Sequence, residues 1–294
     1  MRHRSGITLA AASCVAALLL VTASAAGRAD RVAASEPATG LVQLTARAWA
    51  FVAEDERSSN GALFVGDHAA LIVDPGLTPA VASAFLAAVH SVTDRPIRRV
   101  VLTHWHPDHS LGITCLGLPD LDIVAHPLTR RALAENGAMA RASLASRAPS
   151  PEEATALSDC RPALPRPLGP DDARIDLGGL TVEVFHPGLA HTRGDLVVWS
   201  PDESVLVTGD ILMNGSCPSM GEGDTLSWLG VLSDLEKLAP AHVVPGHFAP
   251  GDTSTVTRFR AYLQAQVDHA RDSIDAGLSA DASARTAHFA AFAS

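Results

Sequence analysis

The stretch VVLTHWHPDHSLG, Val100 to Gly112, places three histidines and an aspartate within six residues, His104 to His109, directly after an apolar run. Thirteen histidines serve the whole chain of 294 residues, so this density is a strong local constraint. In an extended segment, residues i and i+2 project to one side, which lets His104 and His106 reach a common point. Pro107 then bends the chain, and Asp108 and His109 follow as it turns into a helix start. A second pair of ligands is thereby displaced slightly from the first. Nitrogen and carboxylate donors in this mixture suit zinc, and less selectively iron or manganese. The competing reading is a polar helix-capping loop with Asp108 as the cap. It accounts for one such residue but not for four after a buried strand.

A metal reading requires partners elsewhere, and the flanking periodicity shows where to look. The segment Gly61–Gly76 reads as two apolar runs, Ala62–Val65 and Ala69–Val73, around a Gly-Asp turn. Thr78–Val92 reads as a helix with Pro near its first turn, and Leu128–Ala145 as another. Val124 closes a further short strand. Ala148–Asp172 is rich in proline and reads as a loop or lid. Strands are expected at Thr181–His186, Asp195–Ser200, Ser204–Asp210 and His242–His247, with helices at Thr225–Leu238 and Ser254–Ala276. Strands alternating with helices specify a layered α/β protein. His191, Asp210 and His247 each stand beside or at the end of one of these strands, where ligands converge in α/β sheets.

Taken in order, these residues resemble the metallo-β-lactamase superfamily across roughly Leu41 to Gly251. The resemblance implies an α/β fold, a four-layer αβ/βα sandwich. It also implies that His104, His106 and His191 form a first metal site and that Asp108, His109 and His247 form a second, with Asp210 bridging both. Two zinc ions per chain follow from the same likeness. Asp74 of IVDPG resembles an aspartate that orients a ligating histidine from behind, against the plainer reading of a strand-ending turn. Two departures qualify the match. Leu189 and Ala190 separate Gly188 from His191, where many thioesterase-like members have Pro-Gly-His-Thr in direct succession. The bridging position holds Asp210, whereas zinc β-lactamases place cysteine or serine there. The form AHTRGDLVVW is nearer to exported branches, including lactamase-like and sulfur-oxidation-associated proteins, and GEGDTLSWLGVL resembles a stretch of exported hydrolases linked to sulfur oxidation and quinoprotein dehydrogenases.

The activity so implied is hydrolysis: water held between two metals loses a proton near neutrality and attacks an ester, lactone, thioester or amide carbonyl. Asp108 is the candidate proton acceptor. Asn214, Ser216 and Arg193 are candidate substrate contacts. The segment Ile211–Ser227 contains no lysine or arginine, so an anionic substrate would depend on the metals or Arg193. A β-lactamase is one alternative, and a mononuclear iron enzyme resembling persulfide dioxygenases is another. A zinc-stabilised binding protein without catalysis is a third. His126, His186 and His242 are expected near the site or on the surface rather than on the metal. Trp105 is expected to pack into the core or to rim the pocket.

The remaining sequence bounds location and partners. Residues 1–25 combine a short basic start, an apolar run and Ala23-Ser24-Ala25, the pattern of a cleaved signal peptide. Residues 26–40 read as a linker, 41–253 as the metallo-β-lactamase-like domain, and 254–294 as a helical tail packed on it. Export to the periplasm or medium is expected, with no integral membrane span after cleavage. Losing Arg2 and Arg4 takes the formal charge from −10 to −12. An acidic chain with one lysine, Lys237, has no electrostatic footprint for nucleic acid, so a small-molecule substrate is expected. Cys115, Cys160 and Cys217 permit one disulfide with a thiol left over, and the pairing stays open.

Overall fold

The computed structural model describes residues 40–55, 57–289 and 292. The segment read as a signal peptide, and all of the linker except Gly40, lie outside the described residues.

The first sheet contains, in spatial and sequence order, β1 (Leu41–Gln43), β2 (Ala48–Phe51), β3 (Gly61–Val65), β4 (Ala70–Val73), β5 (Ile97–Leu102), β6 (Ile123–Ala125) and β7 (Arg166–Pro167). Its first four strands form an antiparallel meander, and β4 through β7 are parallel. The second sheet comprises β8 (Arg174–Asp176), β9 (Thr181–Phe185), β10 (Val197–Ser200), β11 (Val205–Met213) and β12 (His242–His247). It is antiparallel except for the β11–β12 pair. Among the described residues, seven α-helices complete the fold: α1 (Pro79–Val92), α2 (Pro107–Cys115), α3 (Pro127–Ala145), α4 (Pro151–Asp159), α5 (Thr225–Lys237), α6 (Thr253–Asp275) and α7 (Ala280–Thr286).

Strand periodicity decides the layering. On β5, Val101 faces inward with Val73, Val198 and Val207, in the core between the sheets. Its neighbours Val100 and Leu102 point the other way, against Phe85 and Val89 of α1 and Ile113 of α2. The second sheet repeats the scheme: Val198 and Val207 face the inter-sheet core, while Val197, Trp199 and Leu206 meet Trp228, Leu232 and Phe259 of α5 and α6. The result is helix, sheet, sheet, helix, the expected four-layer αβ/βα sandwich. Among the described residues, no helix is long and apolar enough to cross a membrane.

Two segments differ from the sequence expectation. The proline-rich passage 148–172 is not an open loop, because it contains α4, β7 and a 3₁₀ turn at Pro170–Asp172. Ser150 caps α4 by accepting from the Glu153 backbone N–H at 3.1 Å, Pro151 sits in its first turn, and Leu157 is fully buried. A disulfide between Cys115 and Cys160 joins the end of α2 to the end of α4, with Cα atoms 5.2 Å apart. Among the described residues, Cys217 is left as an exposed free thiol. The second difference is β11, which runs past Asp210 to Met213 because Ile211 and Leu212 are buried in the outer core.

Candidate metal centre

The strands deliver their polar ends to one place. His104 follows β5, and Asp108 and His109 open α2. Asp210 lies within β11, His247 ends β12, and His191 sits between β9 and β10. The structure brings these residues and His106 into two groups that share Asp210. One contains His104, His106, His191 and Asp210; the other contains Asp108, His109, Asp210 and His247. Within each group the potential ligand atoms lie within 4.8 Å of one another.

In the first group, His106 Nδ1 lies 3.1 Å from His104 Nε2 and 3.0 Å from His191 Nε2. Three nitrogens that close approximate a face of a tetrahedron whose edge is about 3.3 Å for bonds of about 2.0 Å. In the second group, Asp108 Oδ2 lies 3.0 Å from His247 Nε2 and 3.3 Å from His109 Nε2. Asp210 spans both groups. Its Oδ1 lies 3.1 Å from His109 Nε2, and its Oδ2 lies 3.5 Å from His191 Nε2.

The outer nitrogens are held by partners that fix the inner ones. His109 Nδ1 donates to Asp74 Oδ2 at 2.8 Å, which turns Nε2 toward the cluster. Asp74 also accepts from the Thr103 backbone N–H at 2.8 Å and from Thr103 Oγ1 at 2.6 Å. It is almost fully buried and holds a left-handed backbone, φ 46°. A non-glycine residue keeps that conformation only when its surroundings dictate it. His104 Nδ1 meets Thr103 Oγ1 at 3.1 Å, and His191 Nδ1 donates to Ser219 O at 3.2 Å.

Charge in the cluster is distributed as a cation site would require. Burial, helped by the imidazoles of His109, His191 and His106, holds His104 well below its ordinary pKa. Burial takes His191 down to about 4. Burial also opposes a proton on His109, but the carboxylates of Asp210, Asp108 and Asp74 outweigh it and hold that imidazole well above its ordinary value. Burial would raise Asp108 and Asp210, yet attraction to His109 keeps both carboxyls below theirs. The positive charge rests on the ring that three carboxylates surround. Two atoms test the fit independently of charge. Among the described residues, four buried side-chain polar atoms make no hydrogen bond, and two of them are His109 Nε2 and Asp210 Oδ1. The two atoms face one another at 3.1 Å without forming a hydrogen bond, and ligation of a cation would satisfy both. The donor set of imidazoles and carboxylates fits zinc.

The candidate substrate contacts fare differently. Asn214 is committed within the protein: its amide donates to Ala249 O at 2.7 Å, and its carbonyl accepts from Arg258 at 2.5 Å. Ser216 donates to Cys217 O and lines a separate cavity with Phe259 and Tyr262. Arg193 lines a groove of about 330 Å³ together with Trp105, Thr192 and Glu222. Trp105 therefore rims a pocket. His126 and His186 stack on one another at 4.5 Å outside the cluster.

Sequence reasoning passed over Ser58, Ser59 and Asn60, all buried. Ser59 Oγ donates to Asp108 O at 2.9 Å, and Asn60 Nδ2 donates to Pro245 O and Phe248 O at 3.0 and 2.6 Å. Ser59 and Asn60 thus tie the start of α2, which carries Asp108, to the end of β12, which carries His247. In the sequence the triplet looks like ordinary turn chemistry before β3. Gly246 is likewise required by contact, since a Cβ there would overlap Asp210 Oδ1.

Known proteins place this arrangement. Residues 55–247 match the family described as the metallo-beta-lactamase superfamily. A metallo-beta-lactamase type 2 from Bacteroides fragilis is 22% identical over 215 residues, covering 71% of this chain and 77% of that protein. The alpha subunit of 2,4-dinitroanisole O-demethylase from Nocardioides sp. (strain JS1661) is 25% identical over 188 residues, which cover 62% of this chain but half of that subunit. Among solved structures, a metallo-beta-lactamase from Pontibacter korlensis superposes with a TM-score of 0.62 at 21% identity, covering 76% of this chain and 98% of that one.

Proposed function

The chain belongs to the metallo-beta-lactamase superfamily, and from that premise we propose that it is a dinuclear zinc hydrolase acting on an uncharged ester, lactone or thioester. The observation that carries the reading is Asp210, whose two oxygens face different groups of histidines. A relative named as a metallo-beta-lactamase supports a metal-dependent centre of this general type.

His104, His106 and His191 would hold one ion, Asp108, His109 and His247 the other, and Asp210 both. When bound, the ions would supply Lewis acidity for a carbonyl oxygen and a water acidified toward neutrality. The chain's own residues have the remaining tasks. Asp108 is partly exposed at the mouth of the cluster, which places it to accept a proton there, while attraction to His109 keeps its carboxyl below its ordinary value and so weakens it as a base. Trp105 offers an aromatic wall for the substrate's apolar part, and Arg193 lies across the same groove. Asp74 and Thr103 keep His109 and His104 in fixed tautomers. Export belongs to the same reading, supported by the Cys115–Cys160 disulfide, which persists in an oxidising compartment.

The relatives' printed names keep β-lactams as a second reading. Against it, residues 211–227 hold no cation to meet a β-lactam carboxylate. A charge-assisted hydrogen bond of that kind is worth about 1.5–3 kcal/mol, more than tenfold in binding. Zinc-loaded protein assayed at one pH on lactones, thioesters, aryl esters, penicillins and carbapenems separates the two. Higher kcat/KM on the neutral substrates supports the proposal, and a carbapenem as the better substrate overturns it.

A further inference from the structure

The loop between β11 and α5 touches two of the three histidines of the first group from behind. Ser219 O accepts from His191 Nδ1 at 3.2 Å, and Glu222 Oε1 accepts from His106 Nε2 at 3.3 Å. The other oxygen of Glu222 accepts from Trp105 Nε1 at 3.0 Å. The loop's end is pressed onto the segment that precedes His191. Asp224 N donates to Ala190 O at 3.3 Å, and any side chain at Gly223 would overlap that same carbonyl.

In both rings the loop engages the nitrogen that faces away from the cluster. His106 turns Nδ1 inward and His191 turns Nε2 inward. A proton fixed on the outer nitrogen leaves a lone pair on the inner one, and the tautomer is set by that outer bond. For His191 the acceptor is backbone, so any sequence that keeps the loop's path supplies it. For His106 the acceptor is a side chain, and its aim depends on a second bond. Trp105, the residue between the two ligands His104 and His106, holds one carboxylate oxygen so that the other stays beside the ring. The sequence HWH thus supplies both the ligands and the anchor of the group that orients one of them.

We propose that Glu222 is a positioning residue of the first metal site, clamped by Trp105 and acting through His106 on metal affinity. The proposal rests on the two-metal reading above, and its test separates the two. Carboxylates behind ligating histidines alter metal affinity by about 10–100-fold. Glu222 is 44% exposed, which places the expected effect at the low end, about tenfold.

The test is a zinc titration of the purified full chain against a chromophoric chelator, following both binding steps, with thermal unfolding of the metal-free protein alongside. Glu222→Ala should weaken one of two steps about tenfold and leave unfolding of the metal-free protein unchanged. Glu222→Gln has one acceptor oxygen for two donors and should fall between wild type and Glu222→Ala. Trp105→Phe should weaken the same step by a smaller factor in wild type and by none in the Glu222→Ala background. Unchanged affinity in Glu222→Ala, with wild type binding two ions, overturns the proposal and leaves the metal reading standing. Equal weakening of both steps together with a lower unfolding temperature assigns Glu222 to the fold and also overturns it. A wild type that binds no zinc overturns both.

Discussion

Replacing Asp74 by Asn changes one atom and removes an acceptor that the metal centre requires. Three donors converge on the Asp74 carboxylate: Thr103 N on Oδ1, and Thr103 Oγ1 and His109 Nδ1 on Oδ2. An amide has one acceptor oxygen and one NH₂, so two orientations must be weighed. With the amide oxygen toward Thr103 N, the NH₂ faces His109 Nδ1. The hydroxyl of Thr103 can rotate to accept, but His109 must move its proton to Nε2, the atom that faces Asp210 and Asp108. That tautomer has no lone pair for a cation. With the amide reversed, His109 keeps its donor role and the buried Thr103 N–H faces another donor. Leaving one buried donor unsatisfied costs about 1–3 kcal/mol. The penalty therefore appears as a loss of zinc affinity of about 10–100-fold in the first orientation, or as a comparable loss of folding stability in the second. Chelator-competition titration reads the first and urea unfolding of the metal-free protein reads the second. Wild-type values in both measurements would refute the role given to Asp74.

Three other outcomes are expected. Cys160→Ser should lower unfolding stability by about 2–4 kcal/mol in urea, since the bridge closes a loop with a sequence separation of 45; reductant should do the same to wild type and nothing further to the variant. Gly246→Ala should lose zinc from the bridged position, because the new methyl displaces Asp210 Oδ1, and elemental analysis should find less than the wild-type content. Zinc affinity should rise with pH across the neutral range. His109 is held above its ordinary pKa in the metal-free protein, so below that raised value a cation must displace its proton. For one displaced proton the rise is about tenfold per pH unit, and calorimetry in buffers of different ionisation enthalpy should register about one proton released.

The fold and the cluster were legible to different depths. β5 and the first part of β11 read clearly because they are apolar runs followed by a histidine or an aspartate, although β11 continues past Asp210. Alternate burial, as at Val100, Val101 and Leu102, explains why the runs are continuous: both faces of each sheet are covered. Leu41–Gln43 and Ala48–Phe51 were not recognised as strands, since each is only three or four residues long, the first at the sheet's edge and the second beside it. The proline-rich passage misled because proline breaks a helix in its interior but starts one at its first turn, as Pro151 does after Ser150. Most of the seven clustered residues were readable because they stand beside a strand or helix end, whereas Asp210 lies within β11 and His191 in the connection between β9 and β10. Glu222, Asn60 and Ser59 were not, because their contacts span 116, 185 and 49 positions and leave no local pattern. Asn214 read as a free polar side chain for the same reason, its partners Ala249 and Arg258 being 35 and 44 positions away.

Zinc content bears most directly on the central claim that Asp210 serves two metal positions at once. Protein purified without chelator, dialysed against metal-free buffer and analysed for all transition elements should carry about two zinc per chain, as a tetrahedral His-and-carboxylate set in two groups would hold. Asp210→Ala prepared identically should carry about one or none. One iron per chain in wild type, or two zinc in both proteins, would contradict the account.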